Sequence, residues 1–536
     1  MKLTPIPDLF FGYNDAENYR RRENKQLFNQ LFIRSNALDK LCSYDRYFLI
    51  GEKGTGKTAY AVFLSNNNYK NTLSKLSYIR ETDYQSFVAL KADKKLLLSD
   101  YTLIWQVIIF VILSRSIDNP EEGDRSMIPR FVRLKAIRAA LDDYANNAFD
   151  PEIPQAFEFA KESTLAADLI LKHLKIAGKT TQKTSTSETQ FQSNLHFVLE
   201  QFKEAFRALR LSTDRILFID GIDIRPASIP YNEYVECVKG LANAIWSLNN
   251  DFFPAIRDSS GRCKVVLLVR PDIFAVLGLQ NQNTKIRDNA VLLDWRTNYE
   301  FYRTSELFLV ADRLLAHQQK VSIPEGMSWD YYFPYKMMNQ KTGQTDSSFI
   351  SFLRFSFWRP RDIVSMMKIL QENFIEMQRR PEDLFSQADF DTPIFRRKYA
   401  DYLLGEIKDH LSFYHKEPEF ETFLKFFEFL KGQSSFEYDE FVDAFSKFDA
   451  FVKKNKLAAP DFIGSADTFL QFLYELNVLC YIEQQGRDRI RRWCFRERTY
   501  ANIAPKVKAD ESYEIHYGLA KALNLGRPIA SRKKKA

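Results

Sequence analysis

Asp45-Arg46-Tyr47-Phe48-Leu49-Ile50-Gly51-Glu52-Lys53-Gly54-Thr55-Gly56-Lys57-Thr58 carries a short aromatic and aliphatic run straight into a glycine-rich stretch that closes on Lys-Thr. Asp45 to Ile50 reads as a strand ending at glycine, and a helix is expected to begin within Lys57 to Leu64. Between them, Gly51 to Thr58 fits the pattern G-x-x-x-x-G-K-[ST] in the strand-loop-helix setting that makes the pattern credible. Glycines let successive backbone N–H groups turn inward toward phosphate oxygens, and the helix that follows offers its unsatisfied amides. Gly51, Glu52, Lys53, Gly54, Thr55 and Gly56 would form the cradle, Lys57 would neutralise β- and γ-phosphate charge, and the Thr58 hydroxyl would ligate Mg²⁺. The competing reading is a glycine-rich turn with a solvated lysine.

Two further strands stand out downstream. Arg215 to Ile219 and Lys264 to Val269 are near-continuous apolar runs, as expected of parallel strands buried on both faces. Helical patterns alternate with them, so the expected core is an α/β fold with a mainly parallel sheet. Asp220, at the carboxyl end of the first run, is the second metal candidate with Thr58. Asp223 or Glu233 could orient an attacking water; the alternative for Asp223 is a helix cap. Arg270, which ends the second run before Pro271, could sense a γ-phosphate through charge-assisted hydrogen bonds. A surface arginine before a proline turn is the competing reading.

The rest of the chain is read around this core. At 536 residues it exceeds what one hydrophobic core organises, so several domains are expected. Residues 15–41 read as one or two helices. Residues 65–210 read as a helical insertion, with periodicity over 101–114, 127–146 and 192–210 and a polar mobile loop over Ala177 to Asn194. Helices dominate from about 310 to 460. The end of the chain reads as a helix over Ser465 to Leu476, a strand over Val478 to Glu483, a turn, and a second strand over Arg489 to Glu497. A helix followed by a hairpin suggests a winged helix. The domain expectation is therefore an N-terminal segment (1–40), the core with its insertion (41–310), a helical lid (311–400) and a helical region ending in a winged-helix-like domain (401–536).

Bulk properties exclude some classes. Apolar residues make up 45% and charged residues 27%, which is a folded rather than a disordered composition. Many of the 46 phenylalanines recur at helical spacing, as in Phe420, Phe423, Phe426, Phe427 and Phe429, and read as core faces. Five cysteines, an odd number without a close pair, argue against a disulfide framework or zinc knuckle. The amino terminus lacks a continuous apolar segment, and the longest apolar run, Thr102 to Leu113, is too short to cross a bilayer. A cytoplasmic protein without membrane contact is expected.

Taken in order, these motifs resemble the STAND class of P-loop ATPases, signal-transducing NTPases related to the AAA+ and origin-recognition proteins. Asp220-Gly221-Ile222-Asp223 is similar to the D-G-[LI]-D motif of NACHT-type members, and Val269-Arg270-Pro271 to their strand-end Arg-Pro. Phe11-Gly12-Tyr13-Asn14-Asp15-Ala16-Glu17 resembles the glycine-acidic motif beside the adenine in such families, with Tyr13 in place of the usual arginine. Trp358-Arg359-Pro360-Arg361-Asp362-Ile363 resembles a lid helix start whose arginine, here Arg361, reaches the nucleotide as a second sensor. The alternative is an Arg361 paired with Asp362 or solvent. The whole chain also resembles a group of bacterial FunZ-type P-loop ATPases. The resemblance implies ATP and Mg²⁺ as ligands and a nucleotide-driven switch that assembles as a homo-oligomer or with a partner protein, in signalling or antiphage defence. Gly221 stands where many ATPases place a glutamate, and Ile224 replaces an acidic residue, which implies slow hydrolysis.

A different class is suggested by the end of the chain. Arg487, Arg489, Arg491, Arg492, Arg496 and Arg498 crowd the expected hairpin around Trp493 and Phe495. Such a hairpin could lie along the phosphates of duplex DNA through Arg489, Arg491 and Arg492. Against this, the helix before it carries no Lys or Arg to read a groove, and the arginines could instead bond acidic neighbours. The terminal Arg532-Lys533-Lys534-Lys535 run reads as a solvated tail.

Overall fold

Five strand segments pair into one sheet in which every pairing is parallel: β1 (Phe48–Ile50), β2 (Thr72–Tyr78), β3 (Asp214–Asp220), β4 (Cys263–Val269) and β5 (Ala290–Leu292), in the order β2-β3-β4-β1-β5. This is a computed structural model, and it describes residues 3–79, 98–118, 188–226, 229–338, 343, 345–415, 417–458, 461–486 and 488–526. Chain contacts divide it into two units. One comprises Met1–Ser35, Gly51–Gly56 and Leu293–Ala536, the other Asn36–Ile50 and Lys57–Leu292.

The sheet belongs to the second unit. All three residues of β1 and all seven of β4 are buried, so the apolar runs that announced them are the consequence of burial on both faces. Registers Ile50↔Val269 and Tyr78↔Asp220 bring the carboxyl ends of the strands to a common edge, where an open α/β sheet places ligands. Helices cover the faces. Lys57–Asn66 buries Tyr60 through Leu64 without interruption, and Leu98–Asp118 packs on Tyr231–Ser247, with Trp105 Nε1 donating to the Cys237 carbonyl at 3.1 Å. The apolar run 102–113 is thus core helix, and among the described residues no helix is long and apolar enough to cross a membrane.

Several expectations are corrected here. The span read as a helical insertion contains β2, an edge strand whose sequence Thr-Leu-Ser-Lys-Leu-Ser-Tyr is mostly polar because only Thr72 and Leu76 are buried. β5 was also unforeseen: three residues are too short a run to signal a strand. Residues 188–194, read as part of a mobile loop, open the helix Glu188–Ala208. The helix expected over 127–146 and the remainder of the loop, 177–187, lie outside the described residues.

In the first unit, helices such as Pro360–Glu376, Pro393–Leu411 and Tyr438–Asn455 pack around a phenylalanine-rich core. Phe420, Phe423, Phe426 and Phe427 are buried, and Phe426 meets Phe469 edge-on with ring centroids 4.7 Å apart. The N-terminal segment joins the same core through Ile6, Leu9 and Phe11. A four-stranded sheet closes this unit, ordered Asp488–Arg492, Leu479–Gln485, Ser512–Ile515, Ser435–Glu437, with antiparallel pairings. The expected helix and hairpin are present as Ala466–Glu475 and the first two of these strands. The second strand is shorter than expected: Cys494–Glu497 is helical, and the strands at 435 and 512 were not foreseen. All five cysteines are free thiols.

Candidate functional site

Lys57 opens the helix after the glycine-rich loop, and its side chain is buried although it is a lysine. A buried ammonium needs a partner, and Lys57 Nζ lies 4.0 Å from Asp223 Oδ2. One residue on, Thr58 Oγ1 donates to Asp220 Oδ2 at 2.6 Å, while Asp220 Oδ1 accepts from the Gly221 amide at 2.8 Å. Burial, with the charge of Asp223 beside it, pushes the Asp220 carboxyl up to about 6, against the opposing hydrogen bond from Thr58 and the charge of Lys57. Four of the residues singled out in the sequence therefore meet at the carboxyl end of β3. Asp223 caps no helix, since the next helix begins at Tyr231 behind Pro230.

Gly221 adopts φ +93°, and a Cβ there would lie 2.5 Å from the carbonyl oxygen of Ile79. The cause is β2, whose last turn of chain hydrogen-bonds across to β3: the Ile79 amide donates to the Asp220 carbonyl at 2.9 Å. No side chain fits where many ATPases place a glutamate. The sequence showed the glycine but not the strand that demands it.

Arg270 follows β4 and is buried, not a surface arginine; its guanidinium donates to both oxygens of Asp272, at 3.1 and 2.7 Å. Glu233 sits half-buried in the first turn of Tyr231–Ser247.

The loop Gly51–Gly56 belongs to the other unit. Gly54 and Gly56 take φ +85° and +92°, the left-handed region in which glycine alone is unstrained. Lys53 Nζ pairs with Asp409 at 2.5 Å and Glu406 at 3.8 Å. Arg361 also faces Glu406, at 3.4 Å, rather than Asp362, which is bound instead by Arg359 at 2.6 Å. Glu406 receives Arg359 as well, at 3.6 Å. Glu52 pairs with Arg498. Sequence reasoning named Lys53, Glu52 and Arg361 as site residues, quoted Arg359 and Arg498 only within the lid-helix and hairpin patterns, and missed Glu406, Asp409 and Trp295, which no motif marks.

The glycine-acidic motif near the amino terminus is structural in its visible contacts. Gly12 has φ +77°, a Cβ there would lie 2.5 Å from the Tyr19 hydroxyl, and that hydroxyl accepts from the Tyr13 amide at 2.9 Å. At the hairpin, Arg491 pairs with Glu514 at 2.5 Å and Arg492 with Glu483 at 2.8 Å and Glu497 at 3.3 Å. Arg489 is exposed, Arg496 lies over the Trp358 ring at 4.0 Å, and Arg487 and the 532–535 run are outside the described residues.

The oxygen donors of Thr58 and Asp220 are hard ligands of the kind Mg²⁺ takes, and their 2.6 Å approach lets one small cation sit against both. Compared with known proteins, the chain matches no family model, and no curated protein matches it either.

Proposed function

We propose that this chain binds ATP with Mg²⁺ through Gly51 to Thr58 and Asp220, and hydrolyses it slowly as a nucleotide-driven switch. The observation that carries the reading is the Thr58–Asp220 hydrogen bond, which joins the last residue of the loop pattern to a strand-end carboxylate 162 positions away. Mg²⁺, when bound, would neutralise part of the phosphate charge. Thr58 and Asp220 would hold it, Lys57 would pair with phosphate in place of Asp223, and Asp223, so released, would orient water. With Gly221 directly after Asp220, no glutamate stands where many ATPases place one, and slow turnover is expected of such a site.

The switch is supported by the pairing of both sensor candidates. Arg270 is held by Asp272 within its unit, so a γ-phosphate bound there would have to take its guanidinium from a carboxylate, and Arg361 is held by Glu406 within the other unit in the same way. Exchange of such partners between ATP and ADP states biases a two-state element. Assembly as a homo-oligomer or with a partner protein is the proposed output. Binding of duplex DNA is the weaker proposal, since Arg491 and Arg492 are paired with carboxylates.

ATP and ADP titrations of wild type, Lys57→Ala and Asp223→Ala, with and without duplex DNA and with mass followed by light scattering, test this. Binding that requires Lys57, turnover that falls in Asp223→Ala, and mass that differs between ATP and ADP are expected. Absence of nucleotide binding overturns the reading; DNA-stimulated turnover moves it to a DNA-dependent ATPase.

A further inference from the structure

Three consecutive carbonyl groups of the loop are held by donors from outside it. The Lys53 carbonyl accepts from Arg359 Nη1 at 2.9 Å, the Gly54 carbonyl from the Arg361 amide at 3.4 Å, and the Thr55 carbonyl from Trp295 Nε1 at 2.9 Å. In a trans peptide the N–H points away from the C=O of the same unit. Anchoring the Lys53 and Thr55 carbonyls on one side therefore fixes the amides of Gly54 and Gly56 toward the other. Those two amides belong to the residues with φ +85° and +92°, the alternation that makes consecutive N–H groups converge on an anion.

The donors are themselves immobilised. Arg359 is buried, donates to both oxygens of Asp362 at 2.6 to 3.1 Å, and lies near Glu406. Just before it, Trp358 holds the left-handed φ +55°, unusual for a tryptophan, with Nε1 donating to the Leu353 carbonyl at 2.9 Å and Arg496 stacked over its ring. Such a conformation persists where its surroundings over-determine it.

We infer that Arg359 and Trp295 are positioning residues for phosphate binding, holding the loop carbonyls so that the Gly54 and Gly56 amides are presented to a nucleoside di- or triphosphate before it arrives. The inference rests on the loop being the nucleotide site proposed above. Amides set this way would serve ADP and ATP alike.

Trp295→Phe removes the indole N–H and keeps an aromatic ring, so it is the informative variant; Arg359→Lys is the second. MgATP and MgADP are titrated calorimetrically into the full chain, and the thermal midpoint of the ligand-free protein is recorded. Trp295→Phe should weaken ATP and ADP by the same factor, about 3–10-fold, the worth of one hydrogen bond, with the midpoint within about 2 °C of wild type. Arg359→Lys should weaken both at least as much. Unchanged affinities in Trp295→Phe, a loss confined to ATP, or a lowered midpoint with intact affinities overturns the positioning role. Wild-type protein that binds neither nucleotide overturns the nucleotide site itself, an outcome distinct from all of these because it appears without any substitution.

Discussion

Thr58 Oγ1 lies 2.6 Å from Asp220 Oδ2, joining the first turn of a helix to the end of β3. Asp220 is buried as a carboxylate whose ionisation burial opposes, so it is a costly group that a folding role alone would not need. Asp220→Asn keeps an oxygen for Thr58 and removes the charge. The variant should be at least as stable as wild type in urea while losing about tenfold or more of its Mg²⁺-dependent ATP affinity, roughly 1.4 kcal/mol. Calorimetry with Mg²⁺ and with EDTA reads the difference, and an unchanged Mg²⁺ dependence would remove Asp220 from the metal site.

Gly221→Glu should not create a fast ATPase. The new Cβ would meet the Ile79 carbonyl at 2.5 Å in a backbone with φ +93°. Left-handed strain of about 1–2 kcal/mol adds to overpacking of about 1–3 kcal/mol. A urea midpoint equal to wild type, or faster turnover, would contradict this.

Glu406 faces Lys53, Arg359 and Arg361 within 4 Å and is largely buried. Glu406→Gln takes the carboxylate from Arg361 while Lys53 keeps Asp409 and Arg359 keeps Asp362, which should lower ligand-free stability by roughly 1–3 kcal/mol. The same surplus charge should tighten triphosphate binding several-fold, since Arg361 no longer has to leave a carboxylate. Thermal melts with and without ATP check both signs: the ligand-free midpoint falls and the ATP-induced rise grows.

His516 is buried against Phe357 and Trp493, and its Nδ1 accepts from the Gly518 amide at 3.2 Å. Burial, with the charges of Arg496 and Arg359, pulls its pKa down to about 3. The native state thus holds it neutral while the unfolded state takes up a proton below about pH 6.5. Its stabilisation is present above that pH and is lost as pH falls toward the folded value, at about 1.4 kcal/mol per pH unit. Between pH 6.5 and 5.5, where the unfolded imidazole is still titrating, the His516→Asn variant should lose less stability than wild type by about 1 kcal/mol, measured by urea denaturation. Parallel losses would place the acid sensitivity elsewhere.

Residues whose role is local were readable in the sequence. β3 and β4 were legible because strands buried on both faces must be apolar throughout, and the loop was legible because positive φ at Gly54 and Gly56 demands glycine. β2 was not, since an edge strand with two buried positions in seven looks like any polar segment. The hairpin arginines allowed either a nucleic-acid surface or acidic neighbours as partners, and only the fold puts Glu483, Glu497 and Glu514 beside Arg491 and Arg492.

The sequence by itself determined the α/β class, a helix starting within Lys57 to Leu64 and the candidates Thr58, Asp220 and Asp223, because periodicity and backbone conformation are written within a few residues. Only the tertiary structure decided that Thr58 meets Asp220, that Ile79 forbids a side chain at Gly221, and that the Arg359 side chain, rather than that of Arg361, pairs with Asp362 and reaches the Lys53 carbonyl. Each of these joins residues through burial and hydrogen-bond satisfaction between distant parts of the chain, and such pairings leave no periodic mark on the sequence.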